Sequence, residues 1–215
     1  MSEKLPVHGF VLAGGKSSRM GADKALLEFR GRPLVEIALE KLREFCMEVS
    51  IAGNRDDLGG FAPVVREERV DCGPAAGIEA GLKASQQEWA MFVPVDVPLV
   101  PGELLRRWAE DVIALGGNGM GASFLLSNAG REPAFCMVRR GCVAKVGAMI
   151  DSGLRRLDDV LLSIDGNEGD SWVEARSLAK YAAHKPSELA VERWFLNVNT
   201  PEDLSVVEAW AEASE

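Results

Sequence analysis

The sequence predicts an α/β fold: a doubly wound, mostly parallel sheet with helices on both faces. Three observations carry that expectation. Short apolar runs alternate with amphipathic stretches through short loops, the pattern that winds strands and helices into a parallel sheet. The run Trp89 to Val95 is nearly all apolar, as a central strand covered on both faces requires. A length of 215 residues buries a sizeable core without disulfides, and residues 1–215 read as a single domain.

The first strand is Phe10-Val11-Leu12-Ala13, stopped by Gly14 and Gly15. Pro33 suits the first position of a helix. Val35, Ala38, Leu42 and Phe45 then share one helical face, so the helix is expected to reach about Cys46. Val49 to Ala52 and Pro63 to Val65 read as the second and third strands. A small-residue helix follows from about Ala75 to Ala84, where Gly77 and Gly81 at i, i+4 permit close approach to the sheet.

After the fourth strand, Leu104, Leu105, Trp108 and Val112 mark a helix from Pro101 to about Leu115. Gly116 to Gly121 follows a helix and enters a strand, the reverse of a dinucleotide fingerprint, and reads as a connection. Strands are expected at Ala122 to Leu126 and Pro133 to Val138, and helices at Val143 to Ile150 and Arg155 to Leu162. Asp165 to Asp170 lacks the EF-hand register and reads as a solvated acidic loop, with Trp172 to Ala183 a peripheral helix. Thr200, Pro201 and Asp203 form a capping-box start to the last helix. Before it, Asn197 and Asn199 alternate with Val198 on what reads as the end of a last strand, which places both amides on one side.

Lys plus Arg number 24 against 33 Asp plus Glu, a formal net charge of −9. That balance argues against a nucleic-acid partner, because binding a phosphate backbone needs a basic footprint. No apolar run approaches a membrane span, and the N-terminus lacks the apolar region of a signal peptide. Cys46, Cys72, Cys136 and Cys142 form no Cys-x-x-Cys pair, which reads as reduced thiols and a cytoplasmic location. With only His8 and His184, chemistry is expected to rest on carboxylates, cations and backbone.

The loop after the first strand is where that chemistry concentrates. Glycines at a strand's end let backbone N–H groups approach a ligand where a β-carbon would collide. Lys16, Arg19 and Lys24 then offer charge to phosphate oxygens. The Walker A spacing fails, because Arg19 stands five residues after Gly14, and Lys16 occupies the place of the second glycine in a Rossmann fingerprint. The physical reading is a nucleoside triphosphate over the end of the first strand. Polar residues recur at the carboxyl ends of the strands, where such sheets bind ligands: Asn54, Glu67 or Asp71, Asp96, and the Asn197/Asn199 pair. Asp96, a carboxylate closing an apolar strand between Pro94 and Pro98, reads as a magnesium ligand.

The stretch LAGGKSSRMGADKAL resembles the signature loop of the molybdopterin nucleotidyltransferase family, in particular the molybdenum cofactor guanylyltransferases. The resemblance covers residues 7–99 and 194–204; the segment 163–193 is longer than the family leads one to expect and matches nothing specific. It implies a Rossmann-like nucleotidyltransferase fold and a magnesium-dependent transfer of GMP from GTP to molybdopterin, with pyrophosphate released. It also implies that Leu12, Ala13, Gly14 and Gly15 lie along the nucleotide, that Arg19 and Lys24 contact phosphates, that Asp96 binds the metal, and that Asn197 and Asn199 face the pterin. Cofactor-delivery and acceptor proteins are the implied protein partners.

Two positions depart from the family pattern. Relatives place an Asp soon after the third strand, where this chain offers Glu67 and, later, Asp71, the latter taken as the nucleotide contact. Some relatives carry Asn where Ala52 stands. A cytidylyl- or sugar-phosphate nucleotidyltransferase of the same fold, or a non-catalytic GTP-binding regulator, are the competing expectations.

Overall fold

The computed structural model describes residues 3–14, 23–115, 120–127, 130–164 and 191–212. The main sheet has six strands: β1 (Leu5–Leu12), β4 (Cys46–Ala52), β5 (Val64–Val65), β6 (Trp89–Pro94), β7 (Ala122–Ser127) and β8 (Gly130–Arg139). Their order is β5-β4-β1-β6-β8-β7. β5, β4, β1 and β6 pair in parallel, and β8 runs antiparallel to both β6 and β7. A two-stranded hairpin, β2 (Glu28–Phe29) with β3 (Arg32–Pro33), sits apart from this sheet. The expected mostly parallel α/β architecture is what the chain adopts.

Alternating side chains divide the core in two. Val7 and Val11 of β1, with Trp89, Met91 and Val93 of β6, meet α1 (Leu34–Arg43) and α3 (Gly102–Leu115) on one face. Phe10, Ala90 and Phe92 meet α2 (Pro74–Ala84), α4 (Val143–Asp151) and α5 (Leu157–Ile164) on the other. Helices cover both faces because every residue of β6 from Trp89 to Val93 is buried. The small residues of α2 do what their spacing predicts. A β-carbon on Gly81 would stand 2.6 Å from Cε1 of Phe92, so the helix lies closer to the sheet than alanine permits.

Three expectations need correction. α1 ends at Arg43 instead of near Cys46; Phe45 keeps its buried place by closing a turn onto the Leu42 carbonyl, and Cys46 already opens β4. Pro33 does not start the helix but precedes it, as the second residue of β3. The last strand is absent among the described residues. Val191–Arg193 form a 3-10 turn and the chain then runs irregularly to α6 (Pro201–Glu212). The segment is held by side chains instead: Trp194 and Val198 are fully buried in the α1/α3 core. One backbone bond, from Val198 N to the Asp96 carbonyl at 2.8 Å, ties it to the turn beyond β6.

Asn197 and Asn199 are nonetheless both exposed around buried Val198, so the alternation survives without the strand. Most of the Gly116–Gly121 connection, the acidic loop from Asp165 and the helix expected from Trp172 lie outside the described residues. No described helix is long and apolar enough to cross a membrane.

Candidate active site

The site begins where β1 stops. Leu12 is paired with Ala52 on one side and Pro94 on the other, Ala13 N donates to the Ala52 carbonyl at 3.1 Å, and Val95 N approaches the Leu12 carbonyl at 3.3 Å. The ends of the three central strands are therefore locked together at Ala13 and Gly14. Glycine is required at Gly53, and Gly14 lies tight against a side chain. A β-carbon on Gly14 would lie 2.7 Å from Oε1 of Glu67. One on Gly53, at φ +147°, would lie 2.9 Å from the Gly14 nitrogen.

Glu67 is the acidic residue brought to this strand end. Its backbone N–H donates to Asn54 Oδ1 at 3.1 Å, and its carboxylate stands between Gly14 and Gly77. Partial burial raises its carboxyl above the usual carboxylate range, because the charged form loses hydration there. Asp71, the expected nucleotide contact, is exposed in left-handed backbone at φ +55° and pairs with no described residue. The signal for Glu67 was its place two residues past Val65, closer to the strand end than Asp71.

The Asp23 side chain caps a 3-10 turn, Lys24–Leu26, by accepting from Ala25 N at 3.0 Å. This turn aims Lys24 across the strand ends. Its Nζ lies 3.2 Å from Asp96 Oδ2 and also donates to Asn199 Oδ1. Asn199 is held in turn: its N–H and that of Thr200 donate to Asp203 Oδ2 at 2.8 and 2.9 Å, while Asp203 N donates to Thr200 Oγ1 at 3.1 Å. These bonds pull the Asp203 carboxyl below its ordinary range. The capping box expected from Thr200 to Asp203 thus also fixes the residue that meets Lys24.

Lys24, Asp96 and Asn199 are therefore one cluster, drawn from three distant parts of the chain. Gly15 and Arg19 lie outside the described residues, and Asn197 is exposed two residues before Asn199, with no hydrogen-bond partner for its side chain among the described residues. Among the described residues no three His, Cys, Asp or Glu converge at Asp96. It is only partly covered, at 20% exposure. A single accessible carboxylate is the donor set that suits magnesium when phosphates and water complete its shell.

A doubly wound sheet with a lysine and a carboxylate meeting beyond its parallel strands is a geometry suited to a phosphate-bearing ligand, and similarity to known proteins gives the class, a nucleotidyltransferase. The sequence of residues 9–165 matches the MobA-like NTP transferase domain. A molybdenum cofactor guanylyltransferase of Vibrio atlanticus (strain LGP32) is 31% identical over 201 residues, covering 91% of this chain and 92% of its own. That of Polynucleobacter asymbioticus is 31% identical over 211 residues, covering 94% and 96%. The chain belongs to the MobA-like NTP transferase family, among the molybdenum cofactor guanylyltransferases. The fold agrees. Molybdopterin-guanine dinucleotide biosynthesis protein A from Archaeoglobus fulgidus superposes with a TM-score of 0.74 at 21% identity, over 96% of this chain and 99% of its own. A nucleotidyl transferase from Methanothermobacter superposes at 0.71 and 18% identity, over 97% and 99%.

Proposed function

We propose that this protein transfers GMP from GTP to molybdopterin, releasing pyrophosphate and forming the guanine dinucleotide cofactor. The observation that carries the reading is the meeting of Lys24, Asp96 and Asn199 beyond the paired ends of β1 and β6. Nucleotidyl transfer needs no protein nucleophile. The terminal phosphate of the acceptor attacks the α-phosphate in line, and the protein aligns two anions and neutralises the charge on transferred and leaving oxygens.

Each residue then has a task. The Leu12-Ala13-Gly14-Gly15 backbone lies along the nucleotide, with Glu67 the carboxylate nearest to it and a hydrogen-bond acceptor for base N–H groups. Lys24 and Arg19 hold the triphosphate. Asp96 holds magnesium, which supplies neutralising charge to phosphate oxygens. Asn199, pinned by Asp203 and touching Lys24, stands with Asn197 on the acceptor side and faces the pterin. The protein acts in the cytoplasm, with proteins that deliver the pterin and receive the product as its partners.

Incubation with molybdopterin, magnesium and each of GTP, CTP, ATP and UTP tests this. Pyrophosphate released with GTP in at least tenfold preference supports the reading. A preference for CTP, turnover only with a sugar phosphate, or GTP bound without pyrophosphate release refutes it.

A further inference from the structure

Arg55 stands three residues beyond the end of β4, and its guanidinium grips two carboxylates. Nη1 donates to Asp23 Oδ1 at 2.9 Å and Nη2 to Asp23 Oδ2; Nε donates to Asp57 Oδ1 at 2.9 Å and Nη2 to Asp57 Oδ2 at 2.6 Å. The side chain is 17% exposed, and the paired carboxylates push its guanidinium further up from its ordinary value. An isolated ion pair on a surface contributes little. This one differs, because Asp23 is also the cap of the Lys24–Leu26 turn through the same Oδ1 that Arg55 engages. The grip on both oxygens fixes the carboxylate plane, and with it the turn, as a point charge does not. Arg55 is itself placed by Gly53 packed on Gly14, and its neighbour Asn54 holds Glu67.

We propose that Arg55 is a positioning residue: through Asp23 it sets where the Lys24 ammonium sits opposite Asp96. The inference rests on Lys24 contacting the triphosphate, as proposed above. The guanidinium of Arg55 bonds Asp23 and Asp57, not Lys24 or Asp96, so its effect travels through the capped turn. One short segment, Gly53-Asn54-Arg55, then braces both walls of the nucleotide site, Glu67 on one and Lys24 on the other.

A double-mutant cycle tests the coupling. Arg55→Ala, Lys24→Ala and the double variant are compared with the parent for magnesium–GTP affinity by calorimetry and for kcat/KM of pyrophosphate release with molybdopterin. Arg55→Ala is expected to weaken both by roughly tenfold in the parent and by less than about twofold once Lys24 is gone. Asp23→Asn is expected to mimic it and to add nothing on top of it. Arg55→Lys, which keeps the charge but loses the fork, restores less than half of the loss, and it carries the same cycle where Arg55→Ala does not fold. Equal factors in both backgrounds, or no effect in either, overturn the positioning role alone. Unchanged GTP affinity and turnover in Lys24→Ala by itself overturns the reading of the site and this role with it.

Discussion

Lys24 and Asp96, 72 residues apart in sequence, meet at 3.2 Å between Nζ and Oδ2 just past the ends of β1 and β6. Neither needs the other for the fold, because both are partly exposed and a pair of that kind contributes about 1 kcal/mol or less. Lys24→Ala and Asp96→Asn are therefore expected to melt within a few degrees of the parent while losing turnover by roughly a hundred-fold or more. Steady-state pyrophosphate release beside a thermal melt checks both halves; near-normal rates in either variant remove that residue from the chemistry.

Asn199 and Asn197 should separate in their effects. Asn199 touches Lys24 and is held by Asp203, whereas Asn197 shows no such tie. Asn197→Ala is expected to raise KM for the pterin acceptor about tenfold with KM for GTP within twofold, and Asn199→Ala to affect both. Initial-rate kinetics varying each substrate in turn decides it.

Glu67 gives the site a pH signature. Burial raises its carboxyl above its ordinary 4.5, so the folded state favours the neutral acid. Its favourable contribution is complete below about pH 4.5 and is lost as pH rises through the folded value. Glu67→Gln is therefore expected to melt higher than the parent at pH 7, with the difference closing toward pH 4. The same variant should bind GTP more weakly, since one of two acceptor oxygens is exchanged for an NH2 donor. Melting curves across that range, with calorimetric GTP titration at pH 7, read both effects.

The glycines of α2 and of the β4 turn predict two distinct failures. Gly81→Ala adds helix propensity of about 1 kcal/mol, yet its β-carbon would stand 2.6 and 2.9 Å from the fully buried ring of Phe92. Overpacking of that kind costs about 1–3 kcal/mol, so the clash wins and the variant melts lower with kcat unchanged. Gly53→Ala meets backbone at 2.9 Å in addition to an unfavourable positive φ, and should lose both stability and GTP binding. Denaturant titration and GTP calorimetry on the pair separate them.

Much of this was legible in the chain. An apolar run stopped by glycine placed β1, the nearly all-apolar run Trp89 to Val95 placed β6, and the i, i+4 glycines of α2 announced its close approach because a missing β-carbon has few other uses at that spacing. The loop acids were harder. Glu67 and Asp71 are equivalent by composition, and only the backbone path, with its left-handed residue at Asp71, turns one toward Gly14 and leaves the other in solvent. The segment before α6 misled for a physical reason. Buried Val198 between exposed Asn197 and Asn199 gives a period of two over three residues, and an irregular chain anchored by side chains produces that as readily as a strand does. The contact between Asn199 and Lys24 spans 175 residues, beyond any local pattern.

The most direct measurement follows the two ends of GTP. With molybdopterin and magnesium present, GTP labelled at the α-phosphate should transfer its label to the pterin product, and GTP labelled at the γ-phosphate should leave its label in pyrophosphate. Label from the γ-position on the acceptor, or α-label recovered only in GTP, GDP or free GMP, contradicts a nucleotidyl transfer centred on Lys24 and Asp96.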